Sequence, residues 1–596
     1  MTTGLRAAPD AEAASAVSGK PASFTAPQWA APAFVATLTF LAFAASLRFD
    51  FVYDDRVQIL ANPWLDSWRS VPRFFTESFA AFTGNTGSAF WRPLFLLWLL
   101  LNRSLFGLAP WGWHLAAIVL HCTAAVLAYF LARRLLKDGF LAAVAALLFA
   151  LWPSTVETAA WVSGATDSLL AVLLLAALLA FLRAQQRRSR TWLVFSLGLY
   201  SLALLSKETA VVLPALIAAY AWLCDPQAEG NGCRGRLRRL AAVLAPFLVL
   251  TAIYFGLRAR VFAGASQAPL LTGWREMVMT WPAAICFYLR LLVFPYPVSP
   301  HYNLKVIGEF KPAPVLLPAL ALIVLAIVLC LVWRRNSHQS RRAVATSLVW
   351  ILAPLAPVLY LRPLAPDDFA HIRYLYLPTI GLALLLAFLL GKFSLGGLRV
   401  FGRPALPLAI ALVLLAAAGL ATARAEMHWA TNYTLFAHAA EVAPHNPRAL
   451  TNFAIELGER RRYGEAVDLF QHALALNPRL WYAAMDLGYT FFRMGQYESA
   501  EGWISRAIEI SPRDPEQYTY LAAVEIKLGR LDKAEEALRA AIKRAPSRPG
   551  YQYGLGLVLE REGKRDQAIQ AYRNELANDP GSERARTRLK ELEGAR

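Results

Sequence analysis

The sequence predicts an all-α protein in two parts, a polytopic membrane helix bundle followed by a C-terminal α-solenoid. Of its 596 residues, 57% are hydrophobic and 17% are charged, whereas about 25% of the residues in soluble domains are charged. Apolar runs recur throughout residues 28–423. From residue 444 onward the chain is polar, and prolines recur every 34 residues, at positions 444, 478, 512, 546 and 580. The first pattern indicates membrane spans and the second a helical repeat.

Eleven apolar segments are candidates for spanning helices, which need about 20 residues each. They lie at 28–47, 112–132, 139–157, 165–183, 191–206, 209–224, 240–258, 313–333, 343–360, 376–391 and 404–423. Residues 1–27 before them are expected to be a disordered cytoplasmic N-terminus.

Basic clusters between the spans set the orientation. They lie at 133–137, 187–190, 234–239, 334–342 and 392–403. With the N-terminus inside, every cluster falls on the cytoplasmic side, as the positive-inside rule requires. The net charge of +19 therefore reflects topology, and nucleic acid is not an expected partner. A full span at 276–297 would move the last two clusters outside. We interpret this segment, which contains Pro282 and Arg290, as a re-entrant or interfacial helix.

This topology places several polar segments on the outer face, which we interpret as the periplasmic face of a bacterial inner membrane. They are the first outer loop 48–111, short loops near 158–164 and 207, loop 361–375 and everything after about residue 424. Within the last part, residues 424–443 are expected to form a linker helix.

Residues 444–596 are expected to form about four tetratricopeptide repeats and a capping helix. The small residues Ala466, Ala500, Ala534 and Ala568 share the 34-residue period of the prolines, as in that repeat. Stacked repeats form a solenoid with a concave surface. Such a surface commonly binds a peptide or protein partner, although the solenoid can also serve only as an assembly scaffold.

Two adjacent acids, Asp54 and Asp55, follow the first span in "FVYDDR". An enzyme that glycosylates on the outer face uses a lipid-phosphate-linked sugar, and it needs a carboxylate at the bilayer surface to accept the proton of the acceptor hydroxyl. The alternative is that the acids only end the helix and solvate the loop. Adjacent carboxylates could also hold Mg²⁺ or Mn²⁺, but two ligands do not make a metal site, and no other cofactor is indicated.

Further charged residues lie at the outer ends of later spans, namely Glu157, Asp167, Lys207, Glu208 and Arg373. Ionisable groups near hydrocarbon are costly and are functional candidates for that reason. Arginine suits bidentate phosphate contact. The structural alternatives are a turn-stabilising Lys207–Glu208 ion pair and an interfacial anchor at Arg373.

Arg92 and His114 are weaker candidates. His114 and His121 are seven residues apart and share one helix face. Without a third ligand nearby, interhelical hydrogen bonds are a better interpretation of these two histidines than a metal site.

Five motifs, in their order along the chain, resemble the TMTC group of eukaryotic O-mannosyltransferases and its bacterial relatives. They are "FVYDDRVQILANP", "FWRPLFLLWLLLN", "GWHLAAIVLH", "LSKETAVVLP" and "RYLYLP", and tetratricopeptide repeats follow them. The resemblance covers the chain from about residue 28 to 580. It implies the GT-C membrane fold, an acidic motif in the first outer loop and a polyprenyl-phosphate sugar as donor.

On this resemblance, either Asp54 or Asp55 is the catalytic carboxylate. The candidate donor-binding residues are Arg373, Lys207, Glu208 and Arg92, and the supporting polar residues are Glu157, Asp167 and His114. Where the TMTC pattern has a His and an Arg, this chain has Thr155 and Ala165. Any sugar contact made by those two basic groups is therefore missing, which leaves the sugar open.

The sequence thus predicts an inverting GT-C glycosyltransferase that transfers a monosaccharide from polyprenyl phosphate to a protein acceptor recognised by the repeats. The resemblance makes mannose a candidate for this sugar. Inversion follows from the single displacement typical of the fold. One alternative is a GT-C enzyme that acts on a glycan or lipid of the cell envelope. Another is a non-catalytic membrane-anchored assembly scaffold, in which Asp54 and Asp55 could be replaced without loss of function.

Overall fold

The computed structural model describes residues 27–83, 90–223, 233–263, 271–392, 399–400 and 403–594. The all-α class is confirmed, since the only strands in these ranges are β1 (Arg399–Val400) and β2 (Arg403–Pro404), an antiparallel pair. The membrane part contains helices α1 Ala30–Phe43, α2 Val71–Thr76, α3 Pro93–Phe106, α4 Pro110–Leu136, α5 Gly139–Leu151, α6 Val156–Ala160, α7 Ala165–Arg187, α8 Arg190–Ser206, α9 Leu213–Leu223, α10 Cys233–Phe262, α11 Trp274–Val293, α12 Pro312–Arg335, α13 His338–Leu355, α14 Tyr376–Lys392 and α15 Ala405–Glu426.

Nine of the described helices are long and apolar enough to cross a membrane, and the bent pair α5–α6 raises this number to ten. Three further apolar segments, Pro93–Phe106, Arg190–Ser206 and Glu208–Leu223, are shorter, and the last two are joined by a minimal turn at Lys207. The predicted number of eleven is reached when these last two are counted and Pro93–Phe106 and α11 are not. Residues 1–26 of the predicted N-terminus, and residue 224 at the end of one predicted span, lie outside the described ranges.

Helix α11 is continuous through Pro282, unlike a re-entrant segment, and its contacts place both its ends beside segments that the sequence predicts to lie on the same, outer side. Before its first turn, the Leu271 amide donates to the Arg362 carbonyl at 2.8 Å, in the predicted outer loop 361–375. Beyond its last turn, the Val298 carbonyl accepts from His438 Nε2 at 3.0 Å, next to the linker helix. A spanning helix cannot have both ends on one face. These contacts favour the interfacial interpretation, although α11 is long and apolar enough to span.

The membrane bundle is centred on α4, α5, α7 and α14, which pack against one another. Close approach of α13 and α14 depends on Gly381, where an added Cβ would lie 2.6 Å from the Ser347 carbonyl oxygen. At the periphery, the apolar helix α12 has no buried residue in its spanning window. An apolar helix exposed on this scale is stable only where lipid replaces water.

The C-terminal part is a stack of helix pairs. Its helices are α16 Asn432–Val442, α17 Pro447–Glu459, α18 Tyr463–Leu476, α19 Trp481–Arg493, α20 Tyr497–Ile510, α21 Pro515–Lys527, α22 Leu531–Arg544, α23 Tyr551–Arg561, α24 Arg565–Asn578 and α25 Glu583–Gly594. Helix α16 is the linker, α17 to α24 form four pairs, and α25 closes the stack. The periodic alanines are buried in the pair contacts, because a larger side chain would separate the two helices of each pair.

The interfacial position of α11 can be tested by cysteine labelling. In a cysteine-free variant, new cysteines at Arg275→Cys and Tyr296→Cys, one at each end of α11, should both react with a membrane-impermeant maleimide applied from outside. Arg187→Cys, at the cytoplasmic end of α7, should react only after permeabilisation. Labelling of only one end of α11 from outside would show that this helix spans the membrane.

Candidate active site

The two adjacent acids of the first outer loop have different environments. Asp55 is fully buried and accepts three hydrogen bonds, from Ser163 Oγ at 2.5 Å, the Ser163 amide at 2.8 Å and the Val52 amide at 3.2 Å. The two bonds from Ser163 connect the first outer loop to the turn between α6 and α7. Burial raises the pKa of Asp55 to about 7, against the opposing effect of the Ser163 and Val52 donors. Asp55 is therefore an anchor of the loop.

Asp54 instead faces a cluster of polar side chains that includes Arg373, His301 and Asp368, and we call the space around this cluster the cavity. Within the described ranges, the one hydrogen bond to its carboxylate is a long one from Gln58 Nε2, at 3.3 Å. Burial raises the pKa of Asp54, and the nearby Arg373 and His301 partly offset this rise. A carboxylate with a raised pKa and free acceptor capacity has the properties of a general base.

The loop reaches this arrangement through a strained residue, Tyr53. Its φ of +56° lies in the left-handed region, which costs a non-glycine residue about 1–3 kcal/mol. The surroundings compensate: the Tyr53 amide donates to Asn432 Oδ1 at 2.7 Å, and the ring packs against Trp161, His301 and Phe436 at centroid distances of 5.4, 5.8 and 5.6 Å. Strain held in this way is common at functional sites.

Three acid–base pairs line the same cavity. Arg373 Nη1 donates to Glu157 at 2.6 Å, Lys207 Nζ contacts both oxygens of Asp167 at 2.6 Å, and Arg92 donates to Glu208 at 3.0 and 3.2 Å. Tyr374 lies among them, since its ring is 5.4 Å from the Arg373 guanidinium and 5.9 Å from Lys207 Nζ.

These pairs differ from both structural alternatives considered above. Lys207 and Glu208 do not pair with each other, because each reaches across to a different helix. Arg373 does not extend to the interface as an anchor, since its contact with Glu157 holds it in the cavity. The structure thus brings six of the sequence-predicted residues together, as partners of one another.

Sequence reasoning missed a second cluster beside Asp54, formed by His301 and Asp368. His301 is fully buried, and its Nδ1 donates to Asp368 at 2.8 Å. Its Nε2 accepts from Asn452 of α17 at 3.2 Å. Arg448, also of α17, lies 3.6 Å from Asp368. Although burial raises the pKa of Asp368, His301 and Arg448 hold it well below its usual range. The "DD" at 367–368, in a predicted outer loop, was the available signal.

The two histidines of α4 lie outside the polar cavity. His121 bridges helices, with Nε2 donating to the Ala150 carbonyl at 3.0 Å and Nδ1 accepting from Tyr376 Oη at 2.7 Å. The predicted interhelical hydrogen bonds are thus present for His121, whereas both ring nitrogens of His114 are buried without a hydrogen-bond partner among the described residues. His114 is buried edge-on against Phe49, next to the backbone of Asp50 and Ala160. His114 thus packs against Phe49 in the first outer loop, five residues before Asp54.

The acid pair does not form a shared metal site. The Asp55 oxygens are directed at Ser163 and Val52, so they cannot coordinate an ion together with Asp54. In the part of the chain that the structure describes, no group of three His, Cys, Asp or Glu residues has the geometry to hold a metal.

Comparison with known proteins gives the same two-part organisation. Residues 92–255 match the family of dolichyl-phosphate-mannose-protein mannosyltransferases. Residues 451–515 and 521–583 match the tetratricopeptide repeat. The first match contains five of the six paired residues, and Arg373 and Asp54 lie outside it.

Two curated relatives are protein O-mannosyl-transferases. The chain is 32% identical to Tmtc1 of Drosophila melanogaster over 276 residues, which is 44% of this chain and 31% of that protein. It is 27% identical to TMTC1 of Homo sapiens over 506 residues, which is 77% of this chain and 56% of that protein. The resemblance to the TMTC group is confirmed as homology, and the aligned parts span about a third to about half of these relatives' lengths. Among solved structures, MamA aligns at 22% identity with a TM-score of 0.24, over 24% of this chain and 85% of that one.

The contribution of the buried Lys207–Asp167 pair to stability can be tested by mutation. Lys207→Met leaves Asp167 buried without its partner, which should cost about 3–5 kcal/mol and lower the Tm of the purified protein in detergent. The double variant Lys207→Met with Asp167→Leu should recover most of the loss, because no unpaired charge remains buried. Arg103→Met breaks a pair with Asp66 that is exposed and should cost no more than about 1 kcal/mol. A Lys207→Met variant that melts like the wild type would contradict the buried pair.

Proposed function

We propose that the chain is a GT-C glycosyltransferase of the outer membrane face, which transfers a monosaccharide from a polyprenyl-phosphate carrier to a hydroxyl of a protein acceptor. The observation that supports this most directly is the position of Asp54. Its carboxylate has spare acceptor capacity in a cavity at the outer ends of the spans, where a lipid headgroup and a polar acceptor can meet. The relatives' name, protein O-mannosyl-transferase, supports the reaction class and makes mannose a candidate sugar.

Asp54 is the proposed general base, and Asp55 is its anchor. Asp54 accepts the proton of the acceptor hydroxyl while the hydroxyl oxygen attacks the anomeric carbon. The bond between that carbon and the phosphate oxygen breaks, and its electron pair leaves with the polyprenyl phosphate. This single displacement inverts the anomeric configuration.

Arg373 is the proposed contact for the donor phosphate. Glu157 engages its Nη1 and backbone amide, which leaves further N–H donors of the guanidinium for a phosphate oxygen. Lys207 and Arg92 are held by their own carboxylates, so their proposed role is to add positive potential beside Tyr374. Glu208 and Asp167 position those two cations.

A protein acceptor is favoured over a glycan or lipid because the first repeat forms one wall of the cavity. Arg448 and Asn452 of α17 contact the His301–Asp368 pair directly, so a ligand bound at this end of the solenoid would lie near Asp54. A scaffold that serves only assembly would not need the unengaged carboxylate or the strained Tyr53 beside it.

The role of Asp54 can be tested in cells that lack the chain and are complemented with variants. Asp54→Asn removes the proton acceptor but keeps the side-chain shape, so transfer should fall about 10²–10⁴-fold. The measurement is the glycan content of outer-face proteins, by mass spectrometry, at matched membrane levels of the enzyme. Asp66→Asn, a charge-neutralising change at an exposed position of the same loop, should have no effect. Identical glycans with wild type and Asp54→Asn would refute the catalytic assignment.

The role of Arg373 can be tested without leaving an unpaired charge. The double variant Arg373→Gln with Glu157→Gln replaces the ion pair by a neutral one. A hydrogen bond to a charged group is worth about 1.5–3 kcal/mol, so the KM for the polyprenyl-phosphate donor should rise about ten- to hundredfold. Glu157→Gln alone keeps the guanidinium and should leave the donor KM close to wild type. Equal KM values for the double variant and Glu157→Gln would place the phosphate elsewhere.

A further inference from the structure

The concave face of the solenoid contains a groove of about 330 Å³ that the proposed chemistry does not use. It is formed by the first helices of three successive pairs, α17, α19 and α21, with contributions from α18. Its lining is mainly aromatic and acidic, and includes Tyr463, Trp481, Tyr489, Tyr520, Glu459 and Asp486.

Polar groups in this groove lack partners. Gln517 is 1% exposed, and neither its amide oxygen nor its amide nitrogen has a hydrogen-bond partner among the described residues. The Tyr482 hydroxyl is buried and equally unpartnered. A buried amide with both ends unsatisfied costs several kcal/mol, so the arrangement is stable only if water or a ligand completes it. One peptide unit, with its N–H and C=O, would satisfy both ends of Gln517.

The charges of the groove favour a cation. Four acids line it, Glu459, Asp486, Asp514 and Glu516, against a single base, Arg493. Two of the acids are already engaged: Asp514 caps α21 and Glu516 pairs with a neighbouring arginine.

Asp486 is the acid whose environment most strongly suggests a ligand. No ion pair or hydrogen bond to its carboxylate is present in the described part of the chain, and burial raises its pKa to about 7. A Lys or Arg side chain there would both neutralise the carboxylate and lie against aromatic faces, where cation–π attraction adds to the ion pair.

The groove lies close to the polar cluster around Asp54. Arg448 links them, since it lies 3.6 Å from Asp368 and its guanidinium lies 5.4 Å from the Tyr482 ring centroid. Along α17, seven residues separate Asn452 at the cavity from Glu459 at the groove, which is about 10 Å at 1.5 Å per residue. Helix α19 lies one further helix-to-helix spacing of about 8–10 Å away. About four to six residues of extended peptide therefore cover the distance from Asn452 to α19.

From these contacts we infer that the groove binds an extended segment of the acceptor protein that carries a Lys or Arg side chain, with Asp486 as the partner of the cation and Gln517 as the contact for the peptide backbone. The acceptor hydroxyl lies about four to six residues from that basic residue. The inference rests on the proposed function for the identity of the ligand as an acceptor, but binding itself can be measured without transfer.

The test uses the full chain in lipid nanodiscs and two fluorescent ten-residue peptides of Ser, Thr and Ala. One peptide has a central Arg and the other has norleucine at that position. By fluorescence anisotropy at pH 8, the Arg peptide should bind at least about tenfold more tightly, the value of one hydrogen bond to a charged group. Asp486→Asn should remove the preference for Arg. Gln517→Leu should weaken both peptides equally, and Asp532→Asn, an exposed acid of α22 outside the groove, should change neither.

Lowering the pH supplies a second readout. Protonation of Asp486 below about pH 7 should weaken the Arg peptide in the wild type, and Asp486→Asn should show no such change. The other charged or titratable groups around the groove are Glu459 on α17, Tyr463 on α18, Tyr482, Tyr489 and Arg493 on α19, and Asp514, Glu516 and Tyr520 at α21. None of the lining residues is a histidine, so a transition near neutral pH that is present in the wild type and absent in Asp486→Asn belongs to Asp486.

Three outcomes would overturn the inference: equal binding of the two peptides, no binding of either, or displacement of the Arg peptide by an oligosaccharide. Asp54→Asn separates this result from the proposed function, because it should abolish transfer and leave peptide binding unchanged. If Asp54→Asn loses transfer and the wild type shows no preference for the Arg peptide, the proposed glycosyltransferase activity is supported and the proposed basic acceptor segment is rejected.

Discussion

The cost of burying charge at the edge of a bilayer governs this structure. Taking a single ion out of water costs several kcal/mol even after relaxation, and only a close partner recovers it. The three pairs around Tyr374 meet this condition with distances of 2.6 to 3.0 Å. Each pair joins segments far apart in sequence, so the charges can be satisfied only when α6, α7, the starts of α3 and α14 and the turn between α8 and α9 converge. The polar cluster beside Asp54 lies where these segments meet.

The same condition explains how much could be predicted from the sequence. Hydropathy and the basic clusters indicated the spans, and the 34-residue period indicated the repeats, because both are local properties of the chain. The acid pair could also be found by its position after the first span. The different environments of the two acids could not be predicted, since Asp55 is held by a hydrogen bond from Ser163, 108 residues away. Likewise, Lys207 beside Glu208 suggested a local pair, whereas the partners come from other helices.

His301 and Asp368 were missed for a related reason. Each lies in a loop whose sequence has no periodicity, and they meet only because the chain that follows α11 packs beside the loop 361–375. Their contacts with Arg448 and Asn452 further require the solenoid to be docked on the membrane part. Several contacts fix this docking: Asn446 Nδ2 donates to the Tyr302 and Asp367 carbonyls at 2.9 and 3.0 Å, and Asn477 Nδ2 donates to the Asp367 carboxylate at 3.2 Å. The first repeat of the solenoid therefore lies beside the loop that carries Asp368.

The position of Asp54 beside Arg373 couples donor binding to base strength. Burial raises the pKa of Asp54; among the neighbouring charges, Arg373 has the largest effect and lowers this pKa, as His301 and Arg448 also do, whereas Asp368 raises it. On the proposed function, a donor phosphate next to Arg373 brings negative charge that offsets this cation, and the proton affinity of Asp54 rises. The base is then strongest when the sugar is in place and weaker when the cavity is empty. A single carboxylate can in this way accept the acceptor's proton in the presence of donor without a dedicated partner to activate it.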